Sequence, residues 1–294
     1  MVIAAFSLLL FSNQNGSHPI PTMMSQSAED TRECSNDSAP VETKNENATD
    51  LPILMYHKIN TSQKSLNDYT ITPETFQGDM EYLRSHGYTT ISIKQLIAFT
   101  RGEYTLPEKP IMITFDDGYA NFATYALPIL KEYNMCAVMA IVGKYTDMFT
   151  EHEDHNVKYS NFSWSELVEL SKSPNVELAA HSYDMHSLKG RKGCKIMKGE
   201  SVSSYEMVFS RDLDLLERRF ITYIGEKPVA FAYPFGFYCE EAKEILRSRG
   251  YAVLFTCIER VNKLTGDPEE LLSLCRFNRP SNMNREQFFK KIQS

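Results

Sequence analysis

Five side chains in this sequence have types and positions suited to chemistry: Asp116, Asp117, His181, His186 and His57. The apolar, β-branched run Ile111-Met112-Ile113-Thr114-Phe115 stops at Asp116-Asp117, and Gly118 follows. Two acids at the end of a buried strand are costly unless something cationic meets them. Roughly 65 residues later, His181-Ser182-Tyr183-Asp184-Met185-His186 sets two histidines five apart, directly after a second apolar run. A lone histidine is more often a satisfied surface or core residue than a ligand. Two histidines with a carboxylate from another strand end form the two-His, one-carboxylate set, which leaves coordination positions open for water and substrate. The functional reading of the acid pair is a metal ligand beside a general base. Residues 111–118 alone read equally well as a helix N-cap, with the second acid favouring the helix start.

These residues need strands to carry them. Leu51 to Tyr56 is an apolar run ending at His57. Strands are also expected at 88–91, 136–142, 176–180, 229–233 and 252–256, and the fifth of these six runs leads into the turn Tyr233-Pro234-Phe235-Gly236. Between them lie helical patterns. Thr72-Pro73-Glu74 opens one with Pro at its first position, and Phe76, Met80 and Leu83 form its apolar stripe. It ends at His86-Gly87 in the manner of a glycine C-cap. Further helices are expected at 92–97, 119–133 (kinked at Pro128), 164–170 behind Ser163, 201–223, 240–250 and 284–292. About seven strands alternating with helices predict one parallel α/β unit, most simply a barrel-like one. In such a barrel the carboxyl ends of the strands converge on one face.

Composition narrows the partners. Net charge is −7 with no long basic run, which argues against nucleic acid. The six cysteines, at 34, 136, 194, 239, 257 and 275, form none of the closely spaced pairs of a structural zinc site. Residues 1–11 are largely apolar, too short to span a bilayer, and suit the apolar region of a secretory signal or membrane anchor. No basic stretch precedes them. Residues 12–50 turn to Ser, Asn, Glu, Asp, Thr and Pro, the composition of a disordered polar linker. That arrangement predicts an extracellular or envelope-anchored protein whose folded domain spans 51–294.

Taken together, the strings TFDDG at 114–118, HSYDMH at 181–186 and AYPFG at 232–236 resemble three motifs of the polysaccharide deacetylase family, carbohydrate esterase family four, also called the NodB-homology domain. The likeness covers about Leu51 to the C-terminus. The first two motifs in this order and spacing carry most of it. It implies a distorted (β/α) barrel and metal-dependent removal of N-acetyl groups from a β-linked N-acetylglucosamine polysaccharide. It also implies roles: Asp117, His181 and His186 hold a divalent ion, with zinc expected, and Asp116 is the general base. The backbone N–H of Phe235 would face the oxyanion.

Two departures from the family pattern matter. An arginine that orients the base is usual where Ala232 stands, and a late Leu-x-His general acid is usual where this chain has no histidine after His186. The opening Ile53-Leu54-Met55-Tyr56-His57 is similar to the branch acting on poly-β-1,6-N-acetylglucosamine, where the acid histidine sits on the first strand. His57 is therefore the expected acid. Arg276 or Arg279 is the expected substitute for the orienting arginine. Asp184 would either fix a histidine tautomer or stabilise its loop. Two rivals remain at this stage: a catalytically inactive carbohydrate-binding barrel, and a two-His, one-carboxylate iron oxygenase, which the strand-helix alternation disfavours.

Overall fold

The apolar runs that end in ionisable residues become neighbouring strands of one parallel sheet. The computed structural model describes residues 48–293. The segment 1–11 and most of the polar stretch 12–50 lie outside the described residues; Thr49 and Asp50 belong to the first strand. The strands are β1 (Thr49–Leu51), β2 (Ile53–Tyr56), β3 (Lys58–Ile59), β4 (Thr70–Ile71), β5 (Thr89–Thr90) and β6 (Pro110–Phe115). They continue as β7 (Ala137–Ile141), β8 (Val176–Ala180), β9 (Ala230–Ala232), β10 (Val253–Phe255), β11 (Asn262–Leu264) and β12 (Phe277–Asn278). The helices are α1 (Pro73–Ser85), α2 (Ile93–Thr100), α3 (Leu127–Glu132), α4 (Gly143–Glu151), α5 (Trp164–Ser171), α6 (Val202–Ile224), α7 (Glu240–Ser248) and α8 (Arg285–Lys291).

Seven parallel strands run in the order β10-β9-β8-β7-β6-β2-β12, and β5 pairs with the start of β6. The last segment closes this path into a barrel. Leu274 exchanges backbone hydrogen bonds with Leu254 and Thr256 beside β10, while β12 pairs with β2 and Arg279 N–H reaches Met55 O. The expectation of about seven parallel strands in a distorted (β/α) barrel holds.

Strand alternation sorts the core into two layers. Ile113, Phe115, Met139, Ile141 and Phe231 face the helices, whereas Ile53, Met112, Ala140, Ala179 and Ala232 face the barrel interior. Every residue of β2, β6 and β7 is buried, as expected for strands covered on both sides. Counting on by twos from the inward residues Ile53, Met112 and Ala179 brings His57, Asp116 and His181 to the same inner side at the strands' carboxyl ends.

Most helix boundaries follow local rules. Thr72 caps α1 with Pro73 at its first position, and Ser92 and Ser163 each complete a capping box with Gln95 and Glu166. The single helix expected over 119–133 differs: Phe122–Ala126 forms a π turn, and α3 follows it. Pro128 offers no N–H and its ring would meet the carbonyl of Thr124, so the backbone widens there.

Candidate active site

Asp116 ends the β6 ladder, its N–H bonded to Tyr56 O at 3.0 Å. Its side chain turns inward to Arg276, which is fully buried. The guanidinium takes both carboxylate oxygens, at 2.7 and 2.8 Å, a bidentate fork. Arg276 is itself held by Thr256 O at 2.9 Å and Thr114 Oγ1 at 3.1 Å. Burial pushes the Asp116 carboxyl up, but Arg276, with His181 and His57 nearby, outweighs it and holds the group below its usual range. Of Arg276 and Arg279, it is Arg276 that meets Asp116. Arg279 lies elsewhere, on Asp79 at 2.8 Å.

Asp117 leaves the strand in a left-handed conformation, φ 71°, and Gly118 follows at φ 75° with Ile141 packed against it. Asn161 fixes this turn by donating to Asp117 O at 2.6 Å, and Phe162 N–H bonds Gly118 O at 2.9 Å. The Asp117 side chain points at both motif histidines: its Oδ1 lies 3.0 Å from His186 Nε2 and 3.6 Å from His181 Nε2. Burial would raise its pKa, yet His186, His57 and His181 together hold it far below the usual carboxylate range.

His181 follows β8, with its N–H on Ile141 O at 2.9 Å. Its Nδ1 meets Ala232 O at 2.8 Å, which places the ring proton there and presents the Nε2 lone pair to Asp117. Burial lowers its pKa to about 4, against the raising effect of Asp116 and Asp117, so the imidazole is neutral. His186 is also lowered by burial, but the charge of Asp117 raises it further and prevails. The ligand atoms of Asp117, His181 and His186 lie within 4.8 Å of one another. Asp117 Oδ1 is buried without a well-formed hydrogen bond. A carboxylate oxygen and an imidazole lone pair facing each other in a buried cluster repel unless a cation sits among them. These donors fit a divalent metal ion.

His57 joins the same cluster. Its ring meets Tyr69 edge-on at 4.9 Å, and its buried Nδ1 has no hydrogen-bond partner. Burial lowers its pKa, while Asp117 and Asp116 raise it and Arg276 and His186 lower it. Phe235 stands beside the cluster, its ring 4.4 Å from that of His186. Its φ is 57°, and the neighbouring Gly236 and Phe237 N–H groups are spent on Tyr233 O and Pro234 O. Asp117, Ser182 and Phe235 are three of the four non-glycine residues with positive φ among those described. Each lies in one of the three motifs, and strain of this kind persists where surrounding structure enforces it at functional sites.

Comparisons with known proteins identify the family. The family model described as polysaccharide deacetylase matches residues 103–254, about half of the chain. The chain belongs to the polysaccharide deacetylase family. A curated relative named poly-beta-1,6-N-acetyl-D-glucosamine N-deacetylase from Escherichia coli (strain K12) is 26% identical over 250 residues, covering 78% of this chain and 37% of that protein. One of the same name from Staphylococcus aureus (strain MRSA252) is 25% identical, covering 68% of this chain and 65% of that one. The chain therefore spans less than two thirds of either relative. A solved de-N-acetylase from Aggregatibacter actinomycetemcomitans is 22% identical at a TM-score of 0.71, covering 83% of this chain and all of that one, and shows the same fold.

Of the two roles open to Asp184, fixing a histidine ring is not the one seen: its carboxylate pairs with Lys144 at 2.7 Å, both side chains being more than half exposed. The tautomer of His181 is set instead by the carbonyl of Ala232, the very position that lacks the family's arginine. Another residue escaped notice. Asp212 of α6, read as part of an amphipathic helix, accepts the Tyr183 and Asp184 N–H groups at 2.7 Å each. The signal was its position three residues after Phe209, inside the apolar stripe.

Proposed function

We propose that this chain is a metal-dependent N-deacetylase that releases acetate from a β-linked N-acetylglucosamine polysaccharide, poly-β-1,6-linked or a related cell-wall glycan. The observation that carries it is the convergence of the Asp117-His181-His186 donors, the arginine-held Asp116 and the unpartnered His57 at one barrel end. The substrate class is supported by the names of the two curated relatives. A position outside the cell, soluble or anchored, is supported by the apolar residues 1–11 and the polar stretch after them.

Asp117 Oδ1, His181 Nε2 and His186 Nε2 would hold the ion, zinc being the expected one. Such an ion supplies Lewis-acid polarisation of an acetamide carbonyl and lowers the pKa of a bound water. Asp116 accepts a proton from the attacking water. The Arg276 fork leaves each of its oxygens a free lone pair and keeps the carboxylate charged and aimed. The Phe235 N–H donates to the oxygen that gains charge in the tetrahedral state. His57 gives a proton to the departing amine nitrogen; burial, which lowers its pKa, makes the protonated ring a stronger donor.

Purified protein loaded with zinc should release acetate from poly-β-1,6-N-acetylglucosamine oligomers, and a chelator should stop it. Chitin oligomers and peptidoglycan run in parallel identify the polymer. Metal-loaded protein that binds these glycans yet releases acetate from none would establish the inactive binding barrel instead.

A further inference from the structure

The two motif histidines are anchored unequally. His181 sits at the end of β8 and is fixed by backbone and ring hydrogen bonds to Ile141 and Ala232. His186 hangs from the loop that follows, so its distance from His181 depends on residues 182–185. Neighbours from two helices that supply no ligand grip that loop. On one side, the first turn of α4 donates Gly143 N–H to Ser182 O at 3.0 Å and Lys144 N–H to Tyr183 O at 2.9 Å. Only glycine fits at 143, where a Cβ would stand 2.6 Å from the Tyr183 ring. On the other side is Asp212, 6% exposed, each of whose carboxylate oxygens takes one loop N–H.

Asp212 is an unusual residue for its place. It lies among Tyr205, Phe209, Leu213 and Leu216 on the buried face of α6. An apolar side chain there would avoid the desolvation of a carboxylate. It would also leave two buried amides of the histidine loop unpaired, beside Ser182 with its strained φ of 64°. Burial raises the Asp212 pKa to about 6, and the two amide bonds oppose that rise.

We propose that Asp212 is a positioning residue for the metal: by clamping the Tyr183 and Asp184 amides it sets where His186 stands relative to His181, and so sets metal affinity. This rests on the metal-site reading above. Metal affinity of the full chain is read by competition with a chromophoric chelator, without substrate. Asp212→Ala should weaken zinc binding roughly 10- to 100-fold, as loss of an outer partner does elsewhere, and Asp212→Asn, which keeps one acceptor, should weaken it less. Glu217→Gln, which disturbs the Arg249 pair elsewhere on α6, should leave affinity within about twofold of wild type. In the wild type, the Tyr183 and Asp184 amides should exchange hydrogen slowly, which tests the clamp even if Asp212→Ala fails to fold. Unchanged zinc affinity in folded Asp212 variants, or loop amides that exchange as fast as an exposed loop, would overturn the proposal. Wild-type protein that binds no divalent ion would overturn the metal-site reading itself, a distinct result.

Discussion

Among the described residues, two buried aspartate-arginine pairs have arginines, Arg276 and Arg279, that are three residues apart in the chain. Asp116 with Arg276 and Asp79 with Arg279 are alike in burial, all four side chains being at most 3% exposed. Their surroundings differ. Around Asp116 stand His181 and His57, and the carboxyl is held below its usual pKa. Around Asp79 stand the Tyr56 hydroxyl at 3.2 Å and Arg285 at 3.3 Å, with Arg279 further tied to Pro280 O and Met283 O. There burial wins over the arginines and the carboxyl is raised. The same ionic chemistry aims the carboxylate proposed as the base in one place and bolts α1 to the C-terminal segment in the other. What distinguishes them is the set of histidines gathered around Asp116, where Asp79 has a second arginine and a tyrosine.

Disrupting each pair should therefore have different consequences. Arg276→Met should lower kcat/KM about 100-fold or more. With burial no longer opposed by the guanidinium, the Asp116 pKa rises, so the acid limb of the rate profile should move to higher pH. The sign for stability agrees: a depressed carboxyl contributes stability that is present above its unfolded value and lost as pH falls through its folded one. Asp79, being raised, has the opposite slope, so its cost is relieved as pH falls. Urea midpoints of Asp116→Asn and Asp79→Asn across acid pH should consequently diverge in opposite directions from wild type. Arg279→Met should cost about 3 kcal/mol by stranding Asp79, seen in urea unfolding, while acetate release per folded molecule stays within about twofold. Tyr56→Phe should be the mildest, about 1 kcal/mol with unchanged turnover.

Much of this was visible in the residues. The strand ends, the three motifs and the capped helices α1, α2 and α5 obey local rules, and the structure brings His57, Asp116, Asp117, His181, His186 and Phe235 near one another. The choice between Arg276 and Arg279 was not visible, because it depends on how the closing segment passes from β10 to β2. Helix α4 was missed because Val142 supplies no side-chain cap. Its first N–H groups are satisfied by the carbonyls of Ser182 and Tyr183, a tertiary cap with no local signature. Asp79 and Asp212 were readable in principle: each falls at a stripe position, three residues after Phe76 and Phe209. A carboxylate inside an apolar stripe marks a buried partner.

The division of labour at 116 and 117 is tested most directly by Asp116→Asn, with metal content and acetate release measured on the same zinc-loaded sample. Acetate release from poly-β-1,6-N-acetylglucosamine oligomers should fall about 10²- to 10⁴-fold while one ion per chain is retained. Loss of the ion together with the activity, or activity close to wild type, would contradict a base that stands off the metal.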